Sequence, residues 1–130
     1  MKILQPPNWP RPKGYSNGIS ARGRMIFTAG VVGWDEHETF LEHSLHGQFA
    51  RALMNVLEIL AQDGAGPEHI VRMTCYVIDR SDYLRERDEL GSAWRSIMGR
   101  NYPVMALVEV KGLVESAAKI EIEATAVVPD

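Results

Sequence analysis

Three glutamates close to the end of the chain have the residue type and spacing for proton-transfer chemistry. Glu109, Glu121 and Glu123 lie in stretches where side-chain character alternates, and the alternation of a β-strand puts all three on one face of a predicted sheet. Carboxylates are rarely buried without partners, and one held in a partly dry cleft can relay a proton near neutral pH. The plainer alternative for Glu109 and Glu123 is ion pairing, with Lys119, Arg100 or arginines of a neighbouring subunit.

Imidazole and thiol groups offer two further kinds of chemistry, metal binding and nucleophilic attack. His37, His43 and His46 lie within ten residues of one another, a spacing that zinc could use, but they straddle a predicted loop and helix start with no cysteine nearby. We therefore predict a solvated loop edge and no metal site. The single Cys75 falls on an apolar strand face without a neighbouring base, which favours an inert core thiol over a nucleophile.

The alternating stretches predict two adjacent strands, from Val104 to Val110 and from Ala118 to Val127, joined as a hairpin. One face of this hairpin is apolar and needs helices to cover it: Val104, Ala106, Val108, Val110, Ala118, Ile120, Ile122, Ala124 and Ala126. The other face is mixed: Met105, Leu107, Glu109, Lys119, Glu121, Glu123, Thr125 and Val127. A half-apolar face on so small a chain is either wet or covered by another subunit.

The rest of the chain predicts an α+β arrangement, in which two helices cover a mainly antiparallel sheet. The first 14 residues hold four of the seven prolines, so we expect an irregular extended arm there. Ser44 has the residue type of an N-cap for the first helix, and Gly64 lies just past its end. Apolar residues at helical spacing predict the buried stripe of each helix: Phe49, Leu53, Val56 and Leu60 in the first, and Tyr83, Leu90, Trp94 and Ile97 in the second. The predicted elements are a hairpin of strands 15–21 and 25–32, a short edge strand 39–41, helix 44–62, strand 70–78 and helix 82–98.

Length, composition and charge are those of a single globular domain spanning residues 1–130. The chain is 45% apolar and 24% charged, with a net charge of −3, and charges of both signs are interspersed, so we expect no nucleic-acid or membrane partner. No apolar run approaches the ~20 residues of a bilayer span, and the N-terminus lacks a signal pattern. A lone cysteine fits a reducing compartment, which predicts a cytoplasmic location.

Several segments together resemble the reactive intermediate deaminase family, also called Rid or YjgF-type. They are GYSNGI, FTAGVVGWD, an Ala-Leu-x-Asn helix segment, a Val-Glu-Val strand and EIEATAVV, which extend over nearly the whole chain. The resemblance implies a chorismate-mutase-like fold, a homotrimer, and an enamine or imine deaminase that needs no metal or organic cofactor. It also implies that Glu121 matches the family glutamate that activates water against a carbon–nitrogen double bond.

The chain departs from this family pattern at residues of the substrate cleft. Where the family has an arginine that clamps the substrate carboxylate, this chain has Met105, which cannot form a bidentate charged hydrogen bond. The family's Ser-Gly-Gln segment is replaced by Ala-Gly-Val at 29–31. Together with Trp34 and Leu107, these changes imply a more apolar cleft, suited to a larger or aromatic-derived molecule.

These departures leave two functions open: a deaminase of altered specificity, and a trimer that binds a small apolar metabolite or regulates without turnover. A displaced cation such as Arg100 or Lys111 could contact an anionic substrate tail. With the resemblance as guide, we predict that Glu121 is the catalytic residue of a cleft between subunits. The predicted substrate-binding residues are Tyr15, Gly30, Val31, Trp34, Tyr102 and Met105.

Overall fold

A sheet covered on one face by helices organises the fold, which a computed structural model describes for residues 1–130. The predicted α+β arrangement with two main helices is confirmed. The strands are β1 (Lys2–Leu4), β2 (Gly18–Ser20), β3 (Arg24–Phe27), β4 (Val31–Val32), β5 (Ile70–Val77), β6 (Val104–Glu109) and β7 (Ile120–Val128). The helices are α1 (Leu45–Ala61), α2 (Arg80–Arg85) and α3 (Arg87–Met98), with one 3₁₀ turn at Pro67–His69. None of the helices has the length and apolar character to cross a membrane.

The main sheet has five strands and is mostly antiparallel. Its order is β3-β7-β5-β6, with β4 also pairing with β7. The predicted C-terminal hairpin is therefore wrong, because β5 lies between β6 and β7. Strand β6 runs parallel to β5, and the helices α2 and α3 form the crossover that two parallel neighbouring strands require.

This topology also changes which residues of β6 face the helices. Met105 pairs with Met73, and Leu107 pairs with Cys75, and both partners are fully buried in the core. Met105 and Leu107 therefore lie on the covered side, which we call the helix face, and Val108 lies on the other side, the open face. The predicted faces are wrong for β6 and correct for β7, whose predicted inward residues are buried. Alternation shows which side chains share a face, but the neighbouring strand decides which face is covered.

The N-terminal region pairs differently from the prediction. Strand β2 pairs with β1 in a separate two-stranded sheet, so the hairpin of strands 15–21 and 25–32 does not form and the arm is not irregular at its start. The second of these strands is split into β3 and β4. At the break, the Thr28 hydroxyl oxygen accepts a hydrogen bond from the Ala124 N–H at 3.0 Å. Residues 39–41 form no strand.

Helix α1 follows the predicted pattern closely. Its N-cap is Ser44, whose hydroxyl oxygen accepts a hydrogen bond from the Gly47 N–H at 3.0 Å. The predicted stripe is buried: Phe49, Leu53, Val56 and Leu60. Gly64, with φ of +76°, adopts the left-handed conformation after the helix end that favours glycine.

The second predicted helix is two helices, broken at Glu86. The Glu86 carboxylate lies 2.5 Å from Nδ1 of His46 and accepts a hydrogen bond from the His46 backbone N–H at 3.1 Å. This contact ties the α2–α3 junction to the start of α1. Leu90 and Trp94 of the predicted stripe are buried, so α3 packs beside α1 over the helix face as the periodicity indicated.

Candidate functional site

A cavity of about 450 Å³ lies on the helix face, between β6, α3 and the N-terminal arm. Most of its lining is apolar, and five aromatic side chains contribute to it: Tyr15, Phe49, Tyr83, Trp94 and Tyr102. The volume falls in the range of small-molecule sites, which are mainly apolar with a few polar groups. The cavity is therefore the best candidate for a ligand site within one chain.

An aromatic stack forms one wall of this cavity. The rings of Phe49 and Trp94 lie 6.3 Å apart at an interplanar angle of 21°, and those of Trp94 and Tyr102 lie 6.3 Å apart at 11°. Stacked rings at this separation favour each other beyond simple area burial. The stack presents flat apolar surface to a ligand while keeping its own members in place.

The N-terminal arm reaches the cavity through two hydrogen bonds. The Ser16 hydroxyl donates to the Tyr102 carbonyl oxygen at 2.5 Å, and the Ser16 N–H donates to the Pro103 carbonyl oxygen at 3.1 Å. Ser16 is buried, so these bonds lie away from water. They hold Tyr15 beside Tyr102 at the cavity, where both were predicted to bind substrate.

Met105 and Leu107 line the same cavity from β6. Three of the predicted substrate-binding residues, Tyr15, Tyr102 and Met105, are thus brought together in one chain. The thioether of Met105 adds apolar surface where the resemblance implies a charged clamp.

Cations at this cavity come from positions that the sequence analysis missed. Lys13, Arg87 and Arg95 line it, and the two residues proposed as displaced cations, Arg100 and Lys111, do not. Arg87 and Arg95 are eight residues apart on one helix, a spacing that places them on the same side. That spacing was visible in the sequence, but the side of α3 that borders the cavity depends on the position of β6.

The predicted catalytic residue lies on the opposite side of the sheet. Glu121 pairs with Tyr76 of β5 and with Val32 of β4, which places its side chain on the open face. Its carboxylate packs against Gly30, where an added Cβ would overlap the carboxylate oxygen Oε2. No side-chain hydrogen bond or ion pair within the chain engages Glu121. Gly30 and Glu121 therefore form a second cluster with a free acceptor.

Val31 and Trp34 belong to neither cluster. Val31 pairs with Ile122 and is buried in the core. The Trp34 ring packs on Phe40, with centroids 5.7 Å apart. Its carbonyl oxygen accepts a hydrogen bond from the Asn55 side-chain amide at 2.8 Å, so the helix asparagine of the Ala-Leu-x-Asn segment holds this loop against α1.

The other acidic residues form hydrogen bonds in place of the ion pairs offered as their alternative. Glu123 accepts a hydrogen bond from the Tyr76 hydroxyl at 2.7 Å, and Glu109 accepts one from the Arg80 backbone N–H at 2.8 Å. The bond to Glu123, burial, and the charges of Glu123 and Glu121 together raise the pKa of Tyr76. The open face thus carries two neighbouring carboxylates, of which Glu121 is the unpartnered one.

Cysteine and histidine take structural roles. Cys75 is fully buried, as predicted for a core thiol, and burial raises its pKa to about 12, far from a nucleophilic thiolate. His46 is engaged by Glu86, and no group of three or more His, Cys, Asp or Glu side chains could hold a metal ion.

The open face also exposes large apolar side chains. Phe27 is 65% exposed and Met25 57% exposed, and their pairing with Thr125 and Val127 places both on this face. Val108 of β6 is also exposed there. These side chains form an uncovered apolar surface on the sheet.

Sequence comparison gives one family and several full-length relatives. The family model described as Endoribonuclease L-PSP matches residues 9–128. A RutC family protein of Synechocystis sp. is 30% identical, covering 99% of this chain and 98% of the relative. A RutC family protein of Pyrococcus abyssi is also 30% identical, over 90% of this chain and 89% of the relative.

Solved structures show the same architecture. The Rid family protein YyfB of Yersinia pestis, described as of unknown function, matches with a TM-score of 0.86 at 26% identity, covering 98% of each chain. TdcF of E. coli, solved with bound serine, matches with a TM-score of 0.71 at 26% identity, covering 98% of this chain and 99% of TdcF. These likenesses extend over both clusters described above.

Proposed function

Because the chain belongs to the Rid/YjgF family, whose sequence model carries the description endoribonuclease L-PSP, we propose that it is an enamine or imine deaminase of altered specificity. The YjgF-type, chorismate-mutase-like fold predicted from the resemblance is confirmed. The proposed reaction hydrolyses a carbon–nitrogen double bond to a carbonyl group and ammonia. The observation that carries the proposal is the unpartnered carboxylate of Glu121 against Gly30, in a family where this glutamate handles water.

The proposed site is shared between subunits of a homotrimer. Glu121 lies on the open face and the cavity lies on the helix face, so the sheet separates the two clusters within one chain. The exposed apolar residues of the open face, Phe27 among them, favour association through that face, since leaving them in water costs ~25 cal/mol per Å² of apolar area. In this arrangement Glu121 of one subunit acts at the cavity of its neighbour.

In the proposed reaction, water adds to the carbon of a protonated C=N bond. Glu121 accepts a proton from the water as its oxygen bonds to that carbon, which gives a carbinolamine. The proton then passes from Glu121 to the amine nitrogen. The carbon–nitrogen bond breaks and ammonia leaves, while the hydroxyl group gives its proton to the Glu121 carboxylate and becomes the carbonyl. An enamine joins this path once protonation at carbon has converted it to the iminium form. The iminium carbon is already electrophilic, so the reaction requires no metal or organic cofactor.

The cavity lining indicates the specificity of this deaminase. Met105 and Leu107 offer apolar contact from β6, and the stack around Trp94 offers aromatic contact from α3. TdcF, a relative with the same fold, holds serine, which supports an amino-acid-like ligand for the family cleft. We propose a substrate with a larger apolar body than serine has.

Ribonuclease activity, which the family description names, is disfavoured by charge. The chain has a net charge of −3, whereas repeated phosphate contacts need a basic surface. We therefore propose a small-molecule substrate and no nucleic-acid partner. The cytoplasmic location stays a prediction.

A screen of cyclic and acyclic imines for ammonia release tests the function, with Glu121→Gln as the key variant. Glutamine keeps the shape and hydrogen-bonding capacity of glutamate but cannot accept the proton, so turnover should fall by on the order of 10²-fold or more with the oligomer unchanged. A matched Glu123→Gln variant, which alters the carboxylate bonded to Tyr76, should fall far less. An unchanged rate in Glu121→Gln would rule out this mechanism, and no turnover of any imine would favour the non-catalytic binding trimer.

A further inference from the structure

We propose that two arginines of α3, Arg87 and Arg95, hold the carboxylate of the substrate, and that this substrate is an imino acid with an aromatic side chain. This inference rests on the proposed deaminase function and names the substrate class of the same site. It assigns to α3 the anion binding that the resemblance places at position 105. Lys13 of the N-terminal arm adds a third positive charge at the cavity.

The three cations have no partner within the chain. All its ion pairs involve other residues, and neither Arg87 nor Arg95 makes a side-chain hydrogen bond. All three side chains are exposed where they border the cavity, so their charged groups are free to bind an anion there. A guanidinium group can bind a carboxylate through two parallel hydrogen bonds, so Arg87 and Arg95 suit a carboxylate better than Lys13 does.

Gly91 supports this assignment because it lies between the arginines on α3. The Arg95 nitrogen Nη1 lies 3.2 Å from the position that a Cβ at residue 91 would occupy. A larger residue there would push the guanidinium group away from its place over the helix. Glycine within a helix costs stability relative to alanine, and room for Arg95 at the cavity wall is a reason to keep it.

A second polar group of the cavity wall is also unsatisfied. Trp94 is 7% exposed, and its indole Nε1 is buried without a hydrogen-bond partner. A buried donor without an acceptor is costly, and Trp94 lines the cavity. Because this nitrogen is closed off from the cavity, a ligand contacts the ring of Trp94 in the aromatic stack and not its N–H.

The acidic residues near α3 do not cancel this positive charge. Glu86 is engaged by His46, and Asp88 and Glu89 lie outside the cavity lining. The cavity wall is therefore cationic at α3 and apolar along β6. An aromatic carboxylate matches both walls.

Binding of 3-phenylpropanoate to the full-length Glu121→Gln protein, measured by calorimetry, tests the proposal without needing turnover. Two comparison ligands separate the contributions: 3-phenylpropanamide has the ring without the charge, and propanoate has the charge without the ring. Arg87→Gln and Arg95→Gln should each weaken 3-phenylpropanoate binding at least about tenfold, because each removes a charge-assisted pair. Arg22→Gln, at an exposed turn outside the cavity, removes the same charge and should change binding less than twofold.

Two further measurements test the geometry of the Arg95 contact and the position of the ligand ring. Arg95→Lys keeps the charge but loses the planar guanidinium group that can form two parallel hydrogen bonds. The affinity of this variant for 3-phenylpropanoate should lie between those of wild type and Arg95→Gln. 3-Phenylpropanoate should also shift the NMR signal of the Trp94 indole N–H, assigned by its loss in Trp94→Phe, through the ring current of its bound ring, and propanoate should shift it far less.

The outcomes separate this inference from the function it rests on. If binding depends on the carboxylate and on Arg87 and Arg95, but wild type turns over no imine, the arginine site is supported and the proposed deaminase function is contradicted. Turnover of imines with equal binding of 3-phenylpropanoate and its amide would keep the deaminase and overturn the arginine site. Equal losses in Arg22→Gln and Arg95→Gln would also overturn it.

Discussion

The two faces of the sheet differ in what each one lacks. The helix face has a cavity with aromatic and cationic walls, and no carboxylate in its lining. The open face has the unpartnered Glu121 against Gly30, exposed apolar side chains such as Phe27, and a smaller cavity of about 220 Å³ that Glu121 does not line. One face can bind a small molecule without activating water, and the other can accept a proton without enclosing a substrate.

Under the proposed function, a single folded chain holds the substrate cavity and the catalytic carboxylate on opposite faces of its sheet. The alternation of β7 separates Ile120, which lines the cavity, from Glu121, its neighbour on the other face. Because adjacent residues of a strand point in opposite directions, no small movement within the chain would bring Glu121 to its own cavity. Association of copies is the simplest way to combine the two faces.

A charged residue on the open face should have the largest effect on oligomeric state and on imine hydrolysis. Phe27→Glu places a carboxylate on the proposed subunit contact, where an unpaired charge is costly to bury. The protein should become monomeric in sedimentation at micromolar concentration, and imine hydrolysis should fall by on the order of 10²-fold. Val114→Glu, at a loop residue that is 97% exposed, should leave both unchanged. A wild-type protein that is already a stable monomer would contradict the proposed trimer.

Adding a methyl group at Gly30 should have the next largest effect. Gly30→Ala forces the Glu121 carboxylate to move, because the new Cβ overlaps it. Turnover should fall about tenfold, since misplacement of a proton-transfer group by a fraction of an ångström is costly. Thermal unfolding should change little. Gly112→Ala, where nothing lies within 4 Å, is the matched control, and equal rates in both variants would argue against Glu121 as the catalytic residue.

Charging position 105 should change specificity by a smaller factor. Wild type should be slow on 2-iminobutyrate and similar imino acids of simple amino acids, because Met105 adds no charge at the family position and their short side chains leave the aromatic stack uncovered. Met105→Arg should raise this rate roughly tenfold at most, since the new charge enters an apolar wall that already borders two arginines. Met105→Leu should leave the rate unchanged. A wild-type rate equal to that of an arginine-bearing relative would show that the cavity does not select for a larger apolar side chain.

Removing the contact between Glu86 and His46 should have the smallest effect. The Glu86 side chain is 16% exposed. Burial alone would raise its pKa, but hydrogen bonds from the His46 side chain and backbone outweigh burial, so the pKa lies below its ordinary value of 4.5. A lowered pKa stabilises the fold above pH 4.5 and loses this contribution as the pH falls below that value. Glu86→Gln should therefore lower the free energy of unfolding by about 1 kcal/mol at pH 7.

Denaturant unfolding across pH checks this prediction. The difference between wild type and Glu86→Gln should shrink below pH 4.5, and Glu89→Gln, at an exposed residue of α3, should show little difference at any pH. A difference that grows towards acid would contradict the assigned contact.

The sequence predicted the periodicity of helices and strands well, and the pairing of strands poorly. The stripe of Phe49, Leu53 and Val56, the cap at Ser44 and the inward residues of β7 follow from spacing alone, because they depend on nearby residues. The position of β5 between β6 and β7, and the pairing of β2 with β1, depend on contacts far apart in the chain. No local pattern specifies them.

The site was predicted in parts for the same reason. Gly30 and Glu121 were both predicted to belong to the site, and the structure shows the Glu121 carboxylate packed against Gly30. Met105 was expected on the face of Glu121, because the two strands were taken as a hairpin, and it lies on the other face. Arg87 and Arg95 were missed because the side of α3 that borders the cavity is known only once β6 is placed.

Mixing two inactive variants tests the shared site most directly. Glu121→Gln removes the carboxylate, and Gly91→Phe fills the cavity from α3, so each pure protein should be inactive. After the two are unfolded together and refolded at equal amounts, about a quarter of the sites in a cyclic trimer would combine an intact Glu121 with an intact cavity from its neighbour. Ammonia release should therefore return to about a quarter of the wild-type rate. Mixed trimers seen by native mass spectrometry with no recovered activity would contradict a site built from two subunits.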